Sequence, residues 1–215
     1  MKREHALQPR RAVVSKSEKF WDRTAARYAK SRVSDEATYQ KKLAETQSLL
    51  RPGMRVLEFG CGTGTTAIHH APYVEHIDAI DISENMLEIG RAKATEEGID
   101  NITFTRGTLG EFGAKDSSFD AVLGLNVIHL LPDRETVFAE VARILKPGGV
   151  FVSSTVCLGH SSLRFIKLVS PLGKLLGLMP DVFVLTEAEL ADEVTRAGFE
   201  IERRWHHGKS GEVVF

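Results

Sequence analysis

The sequence predicts an α/β domain in which seven strands form a doubly wound, mostly parallel sheet with helices on both faces. Apolar runs typical of buried strands alternate along the chain with segments of helical periodicity. The chain has 215 residues and is 42% hydrophobic, which is enough for one sizeable core. A turn with three glycines follows the first predicted strand, an arrangement typical of a ligand site. We therefore expect one domain over residues 16–215, preceded by a flexible basic leader at 1–15.

The individual elements follow from periodicity and from stop signals. Two N-terminal cap helices are predicted within residues 16–50, because apolar side chains recur at helical spacing until the RPGM stretch at 51–54. A helix between the fourth and fifth strands has Asp133 as its N-cap and ends at the KPG stretch 146–148. A late helix begins with a capping box of Thr186 and Glu189 and ends at Gly198. The predicted strands are 55–60, 76–82, 101–107, a buried strand with a longer tail within 119–131, then 148–156, 199–205 and 211–215.

Composition narrows the classes of partner. The formal net charge of −1 gives no global field that would favour nucleic acid or an anionic membrane, so we expect a small-molecule partner and no nucleic acid. The two cysteines form no CxxC motif and no cluster at metal spacing, which favours a cytoplasmic protein without zinc or disulfides. Either a monomer or a homodimer is compatible with the sequence. The chain ends within an apolar run, which favours a native protein that extends beyond Phe215.

The stretch VLEFGCGTG, residues 56–64, ends a buried strand with glycines at alternate positions. Such glycines let the backbone turn sharply and approach a ligand, while the next helix presents free N–H groups. The dinucleotide fingerprint fails when it is started at Gly60, because Thr65 occupies the position of its last glycine. A looser form that starts at Gly62 and ends at Ala67 does match. The turn therefore indicates a ligand site without identifying the ligand.

Two carboxylates narrow the choice of ligand. Glu58 lies two positions before Gly60, where it would repel a pyrophosphate but attract an ammonium or sulfonium group. Asp81 ends the second strand, at a point where a carboxylate can accept both hydroxyls of a ribose. A nucleoside with a cationic tail would suit both acids.

Together with FDAVLGLNVIHLL (119–131) and ARILKPGGVFV (142–152), these motifs resemble those of the class I S-adenosylmethionine-dependent methyltransferases. Within that class the chain most resembles the small-molecule group that includes quinone-biosynthesis methyltransferases. The resemblance implies a Rossmann-like fold, S-adenosyl-L-methionine as cofactor and a small-molecule methyl acceptor. It also implies a set of cofactor-binding residues: Tyr28, Glu58, Gly60, Cys61, Gly62, Gly64, Asp81, Ile82, Thr108, Leu109 and Asn126.

The resemblance implies a role for most of these residues. The glycines would line the methionine part of the cofactor, with Glu58 at its ammonium group, and Asn126 would meet the same end through its backbone carbonyl. Asp81 would hold the ribose, Ile82 would pack on the adenine, and Tyr28 would fold over the site as part of a cap.

One position departs from the family pattern. An acidic residue usually follows the third strand and pairs with the adenine amino group, whereas this chain has Thr108 and Leu109 there. Glu111 lies too far along the chain to replace that acid.

Methyl transfer from a sulfonium is an in-line displacement, so alignment and desolvation can carry most of the catalysis. His129 is a candidate general base, and a purely structural role is the alternative. We expect no metal, because clustered carboxylates are lacking near the end of the fourth strand. One alternative is a non-catalytic cofactor-binding protein. The other is a nicotinamide-dependent oxidoreductase, which Glu58 disfavours because it would repel the pyrophosphate of the nicotinamide cofactor.

Residues 161–185 are rich in apolar side chains, but three basic residues and two prolines exclude a membrane span. We expect a helical lid insertion at about 157–185 that closes over a lipophilic or aromatic acceptor. Two alternatives are a helical pair packed on the domain or on a second subunit, and peripheral contact with a membrane surface.

Overall fold

The computed structural model describes residues 16–31, 35–157, 180, 182–207 and 212–214. The leader predicted at 1–15 lies outside the described residues. So does most of the predicted lid, of which only Cys157, Pro180 and 182–185 are described.

Helices and strands alternate along the described chain. The strands are β1 (Arg55–Phe59), β2 (His76–Asp81), β3 (Ile102–Arg106), β4 (Phe119–Leu125), β5 (Leu145–Val156), β6 (Trp205–His207) and β7 (Glu212–Val214). The α-helices are α1 (Lys16–Ala29), α2 (Glu36–Gln47), α3 (Thr65–His70), α4 (Glu84–Glu96), α5 (Leu109–Phe112), α6 (Arg134–Ile144) and α7 (Glu187–Arg196). Short 3-10 helices lie at Ala71–Tyr73 and Ile128–Leu130.

The described strands form one sheet in the order β3-β2-β1-β4-β5-β7-β6. The first five strands of that order pair in parallel, whereas β7 is antiparallel to both β5 and β6. This confirms the predicted α/β fold with a mostly parallel sheet. The strand order reverses between β1 and β4, and such a switch point opens a crevice at the carboxyl ends of the two strands.

Apolar side chains cover both faces of the sheet, as expected for parallel strands buried on two sides. On one face Leu57 packs in a cluster with Phe138 of α6 and Leu190 of α7. On the other face Ile77 belongs to a cluster with Leu87 of α4. The carboxyl ends of the strands are thereby held at one edge of a rigid core.

Several predicted boundaries are wrong. β4 ends at Leu125, and the tail up to residue 131 lies outside the strand, because Asn126 has a left-handed φ of 57° and a 3-10 helix follows. α6 ends at Ile144, and β5 begins three residues earlier than predicted, because Leu145 already pairs with Phe119. β6 lies at Trp205–His207 rather than 199–205, since Phe199 packs on the core instead of pairing in the sheet.

The predicted helix caps are confirmed. The carboxylate of Asp133 accepts a hydrogen bond from the Thr136 N–H at 3.1 Å at the start of α6. Thr186 and Glu189 form a reciprocal capping box at the start of α7. These caps satisfy N–H groups that a helix leaves unpaired at its first turn.

Candidate functional site

A cleft of about 1030 Å³ lies at the carboxyl ends of β1, β2 and β4, beneath the two N-terminal helices. Its size is within the upper range of small-molecule and cofactor sites. Most of the predicted site residues line it: Tyr28, Glu58, Gly60, Cys61, Gly62, Asp81, Ile82, Thr108, Leu109 and Asn126. Gly64 and His129 are the two predicted site residues that do not belong to its lining.

The glycine turn needs its glycines for two different reasons. Gly60 and Gly62 have left-handed φ angles of 65° and 54°, and a Cβ on Gly60 would lie 2.4 Å from Cγ2 of Val127. Gly64 also has a left-handed φ, but a Cβ there would lie 2.6 Å from the Phe104 ring. Gly64 therefore allows the start of α3 to pack closely on Phe104 of β3. Its predicted contact with the cofactor stays a prediction.

Asp81 fastens the glycine turn to the start of α4. Its Oδ2 accepts a hydrogen bond from the Gly62 N–H, and its Oδ1 accepts one from the Ser83 N–H, both at 2.9 Å. Burial raises the pKa of Asp81, and the two N–H groups act in the opposite direction. A carboxylate oxygen can accept more than one hydrogen bond, so both oxygens retain acceptor capacity toward the cleft.

Glu58 is the most unusual group in the cleft. It is only 2% exposed, and no group of the described residues forms a hydrogen bond with its Oε2. Burial, with a further contribution from the Asp81 charge, raises the pKa of Glu58 to about 8. Burying an ionised carboxylate is energetically costly unless a cation or a hydrogen-bond donor contacts it. Its environment therefore fits a ligand with a positive group at this point.

The cap over the cleft is anchored at its first half. Asp22 of α1 accepts hydrogen bonds from the Ser83 hydroxyl at 2.7 Å and from the Asn85 N–H at 3.2 Å. Glu18 of the same helix forms an ion pair with Arg106 at the end of β3. Tyr28, near the other end of α1, is 49% exposed and lies over Gly62. These contacts hold α1 beside the cleft, and its role as a cap over a cofactor stays a prediction.

Thr108 and Glu111 form hydrogen bonds with each other. Oε2 of Glu111 accepts hydrogen bonds from the N–H and the hydroxyl of Thr108, both at 2.9 Å. This pair forms the capping box of α5, and these donors lower the pKa of Glu111. Glu111 is therefore committed to the helix start, which agrees with the expectation that it does not replace the family's acid.

Asn126 and His129 belong to the loop that follows β4. The Asn126 N–H donates to the Ser154 carbonyl at 2.8 Å, and the Ser154 hydroxyl donates to Oδ1 of Asn126 at 3.2 Å. These bonds hold Asn126 in its left-handed conformation at the cleft wall. His129 is half-buried, and its carbonyl oxygen accepts a hydrogen bond from the Phe183 N–H at 2.8 Å. His129 does not belong to the cleft lining of this structure, and its role as a general base stays a prediction.

Sequence reasoning missed a second group of cleft residues. Trp21 of α1 and Tyr39 of α2 add aromatic surface, and Leu130, Leu131 and Val137 add apolar surface on the side of β4. Tyr39 shares the helical face of Leu43, which is a core residue. Its spacing therefore indicated burial, but it gave no sign that the ring faces a ligand cleft.

Residues 56–149 match the family model described as a methyltransferase domain. The uncharacterized methyltransferase YcgJ of Bacillus subtilis is 36% identical over 98 residues, which cover 46% of this chain and 39% of that protein. Demethylmenaquinone methyltransferase of Listeria monocytogenes is 38% identical over 110 residues, which cover 49% and 46% of the two chains. This chain thus matches less than half of the length of either relative.

Solved structures extend the match to the whole domain. A Thermotoga maritima S-adenosylmethionine-dependent methyltransferase, described as a possible histamine N-methyltransferase, superposes with a TM-score of 0.68 at 25% identity. That superposition covers 91% of this chain and 96% of the other. The [4+2]-cyclase SpnF gives the same TM-score at 22% identity and 81% and 62% coverage, which shows a shared fold alone. Residues 56–149 thus match a methyltransferase domain, and the fold of the chain is similar to that of S-adenosylmethionine-dependent methyltransferases.

No helix within the described residues has the length and apolar character that crossing a membrane requires. The described residues also contain no group of three His, Cys, Asp or Glu side chains positioned to hold a metal ion.

Proposed function

We propose that this protein transfers a methyl group from S-adenosyl-L-methionine to a small lipophilic or aromatic acceptor. The observation that carries the proposal is Glu58, a buried carboxylate whose Oε2 has no hydrogen-bond partner among the described residues and which lines the cleft beside the glycine turn. An ammonium group at the methionine end of the cofactor would supply the missing cation. A dinucleotide would place its pyrophosphate there, next to a group that offers no positive charge and that repels the pyrophosphate once it ionises.

The remaining residues would hold the other parts of the cofactor. Asp81 retains acceptor capacity for the ribose hydroxyls, and Ile82 offers an apolar surface for the adenine on the same side of the cleft. The left-handed glycines Gly60 and Gly62 bring the backbone close to the methionine part. S-adenosyl-L-methionine, when bound, would supply a methyl group on a sulfonium: the acceptor's nucleophilic atom would bond to the methyl carbon as the S–CH3 bond breaks and S-adenosylhomocysteine leaves.

The chain would accelerate this displacement mainly by alignment and by exclusion of water. Charge on the sulfonium disappears as the new bond forms, so an apolar environment favours the transition state over the charged reactants. Trp21, Leu130 and Val137 contribute such an apolar environment in the same cleft as the proposed cofactor residues. Holding two reactants in a well-oriented in-line geometry can by itself lower the activation barrier by about 7 kcal/mol or more.

The same apolar wall supports a lipophilic acceptor. Demethylmenaquinone methyltransferases are among the relatives, and their name indicates an aromatic, hydrophobic substrate for those proteins. The lid predicted at about 157–185 would complete the cover, and Pro180 lies on the cleft wall at its distal end. The lid stays a prediction.

A screen with a labelled methyl group tests the proposed function. The full chain would be incubated with methyl-labelled S-adenosyl-L-methionine and two acceptor panels, one of apolar phenols and quinols and one of polar amines. We expect label in the apolar panel only. Label confined to the amines would contradict the acceptor class, and cofactor binding without transfer to any acceptor would favour the non-catalytic alternative.

A thermal-shift assay distinguishes the proposed methyltransferase from the nicotinamide-dependent alternative. S-adenosylhomocysteine at about 100 times its dissociation constant should add roughly 2.7 kcal/mol to the free energy of unfolding. For a chain of this size that corresponds to roughly 5 to 11 °C in Tm. A shift with NAD and none with S-adenosylhomocysteine would overturn the assignment.

A further inference from the structure

The outer face of the first helix, α1, carries a row of positive charge. Five basic residues recur at spacings of three or four, which places them on one side of the helix within an arc of about 80°. The row extends over about 21 Å at the rise of an α-helix. We call it the basic stripe, and all of its members are exposed: Lys16, Lys19, Arg23, Arg27 and Lys30.

The acidic residues of the same helix face the domain instead. Glu18 forms an ion pair with Arg106 at the end of β3. Asp22 accepts hydrogen bonds from Ser83 and Asn85 at the start of α4. The sequence of α1 contains no acidic residue besides these two. The acids therefore anchor the helix to the domain, and the opposite side of the helix presents cations.

Positive charge is concentrated at this end of the chain. Residues 1–32 contain ten Lys or Arg and three Asp or Glu, a formal charge of +7, although the whole chain has a net charge of −1. The remaining residues therefore carry −8. An anionic surface attracts the basic end of such a molecule and repels the rest, so the charge distribution orients α1 toward that surface.

An anionic lipid surface fits the basic stripe better than a nucleic acid does. A straight row of cations on a convex helix can lie flat on a planar surface, where each Lys or Arg adds to the binding. Proteins that bind single-stranded nucleic acid combine a charged groove with several aromatic rings on which bases stack. Within the described part of α1, Phe20 is the one aromatic residue beside the stripe, and its ring lies 5.8 Å from the Arg23 guanidinium.

The other side of α1 lines the cleft through Ser17, Trp21 and Tyr28. The width of one helix, about 10 Å, thus separates the basic stripe from the cleft. A lipophilic acceptor that is dissolved in a membrane would then have a short path through water to the cleft. Because no described helix is long and apolar enough to cross a membrane, the contact of α1 would be peripheral.

We propose that the basic stripe of α1 docks this protein on an anionic lipid surface. The choice of a lipid surface rests in part on the proposed function, because it takes the acceptor to be lipophilic. The docking itself needs neither cofactor nor acceptor, so it can be measured separately from methyl transfer.

Vesicle flotation of the full chain tests the docking. The protein should float with vesicles that contain phosphatidylglycerol and should not float with vesicles of phosphatidylcholine alone. The double variant Lys19→Gln with Arg27→Gln should bind the anionic vesicles about 30-fold more weakly, which corresponds to about 1 kcal/mol per basic residue. Added salt should weaken the binding of the unaltered protein, because it screens exposed charges.

The matched control is the double variant Arg51→Gln with Lys115→Gln. It also removes one Arg and one Lys, and both residues are exposed. They precede β1 and β4 and therefore lie at the edge of the sheet opposite the cleft. The control should bind anionic vesicles as the unaltered protein does. Neither Lys19 nor Arg27 lines the cleft, so the stripe variant should keep its affinity for S-adenosylhomocysteine in solution.

Four results would overturn the inference. Failure of the unaltered protein to float with anionic vesicles would show that the stripe is a solvated face. Equal binding to both kinds of vesicle would show that charge does not carry the contact, and equal losses in the two double variants would show that α1 has no special part in it. Tighter binding to a duplex oligonucleotide than to vesicles, lost in the stripe variant, would assign the stripe to nucleic acid. Docking without methyl transfer to any acceptor would support this inference while the proposed function fails.

Discussion

The pKa of Glu58 makes cofactor binding dependent on pH. With a pKa of about 8 in the free protein, Glu58 carries a proton at neutral pH, yet it must be ionised to attract an ammonium group. At pH 7 roughly 9% of the molecules have the ionised form, and each further unit of pH below 8 costs about 1.4 kcal/mol. Affinity for S-adenosylhomocysteine should therefore rise about tenfold per pH unit between 6 and 7.5 and level off above 8.

Calorimetry directly measures the proton that Glu58 should release when the ligand binds. Titration of the full chain with S-adenosylhomocysteine at pH 7, in two buffers of different ionisation enthalpy, should show about 0.9 protons released per ligand bound. Glu58→Gln is the isosteric variant, and it should abolish this release. It should weaken binding by about 10- to 150-fold at pH 8.5, but much less at pH 6, where the unaltered protein must first ionise Glu58.

Two results would refute this reasoning. Affinity that stays constant from pH 6 to 8, with no exchange of protons with the buffer, would show that Glu58 is already ionised or does not meet the ligand. A proton release that persists unchanged in Glu58→Gln would show that another group in the cleft titrates.

Three further predictions concern stability and the cap. His70 is fully buried, and burial, followed by the effect of the neighbouring His69, lowers its pKa to about 4. The contribution of neutral His70 to the free energy of unfolding is therefore fully present above the unfolded pKa of about 6.5. About 3 kcal/mol of it is lost as the pH falls toward 4. His70→Leu should flatten that loss in urea unfolding, and an equally steep loss would contradict it. Gly64→Ala should destabilise more than Gly98→Ala by roughly 1 to 3 kcal/mol, because both glycines have left-handed φ but only Gly64 faces a ring; equal losses would disprove the packing role. Asp22→Ala should weaken S-adenosylhomocysteine binding by releasing α1, and unchanged calorimetric affinity would show that the anchor does not matter.

The sequence predicted the parts of the site that depend on strand ends. In a parallel sheet the residues that follow neighbouring strands meet at one edge, so Glu58, the glycine turn and Asp81 could be placed together before any coordinates. Their residue types also indicated a cationic nucleoside. What could not be predicted was that Asp81 already binds two N–H groups of the protein.

The missed features depend on contacts between distant parts of the chain. The hydrogen bond between Asp22 and Ser83 joins residues 61 positions apart, and periodicity carries no information about such a pair. Tyr39 fits the buried face of an ordinary helix, and only the packing of α2 over the crevice turns it toward the cleft. The early end of β4 follows from a single left-handed residue, Asn126, which the apolar run around it conceals.

The most direct measurement of the central claim is a side-by-side calorimetric titration of the full chain with S-adenosylhomocysteine and with NAD. The proposed cofactor site predicts saturable binding of one S-adenosylhomocysteine and no comparable binding of NAD. Asp81→Asn, which keeps one oxygen for the glycine turn but loses the charge, should weaken S-adenosylhomocysteine by about 10- to 150-fold. Binding of NAD with equal affinity, or S-adenosylhomocysteine binding that Asp81→Asn leaves unchanged, would contradict the account.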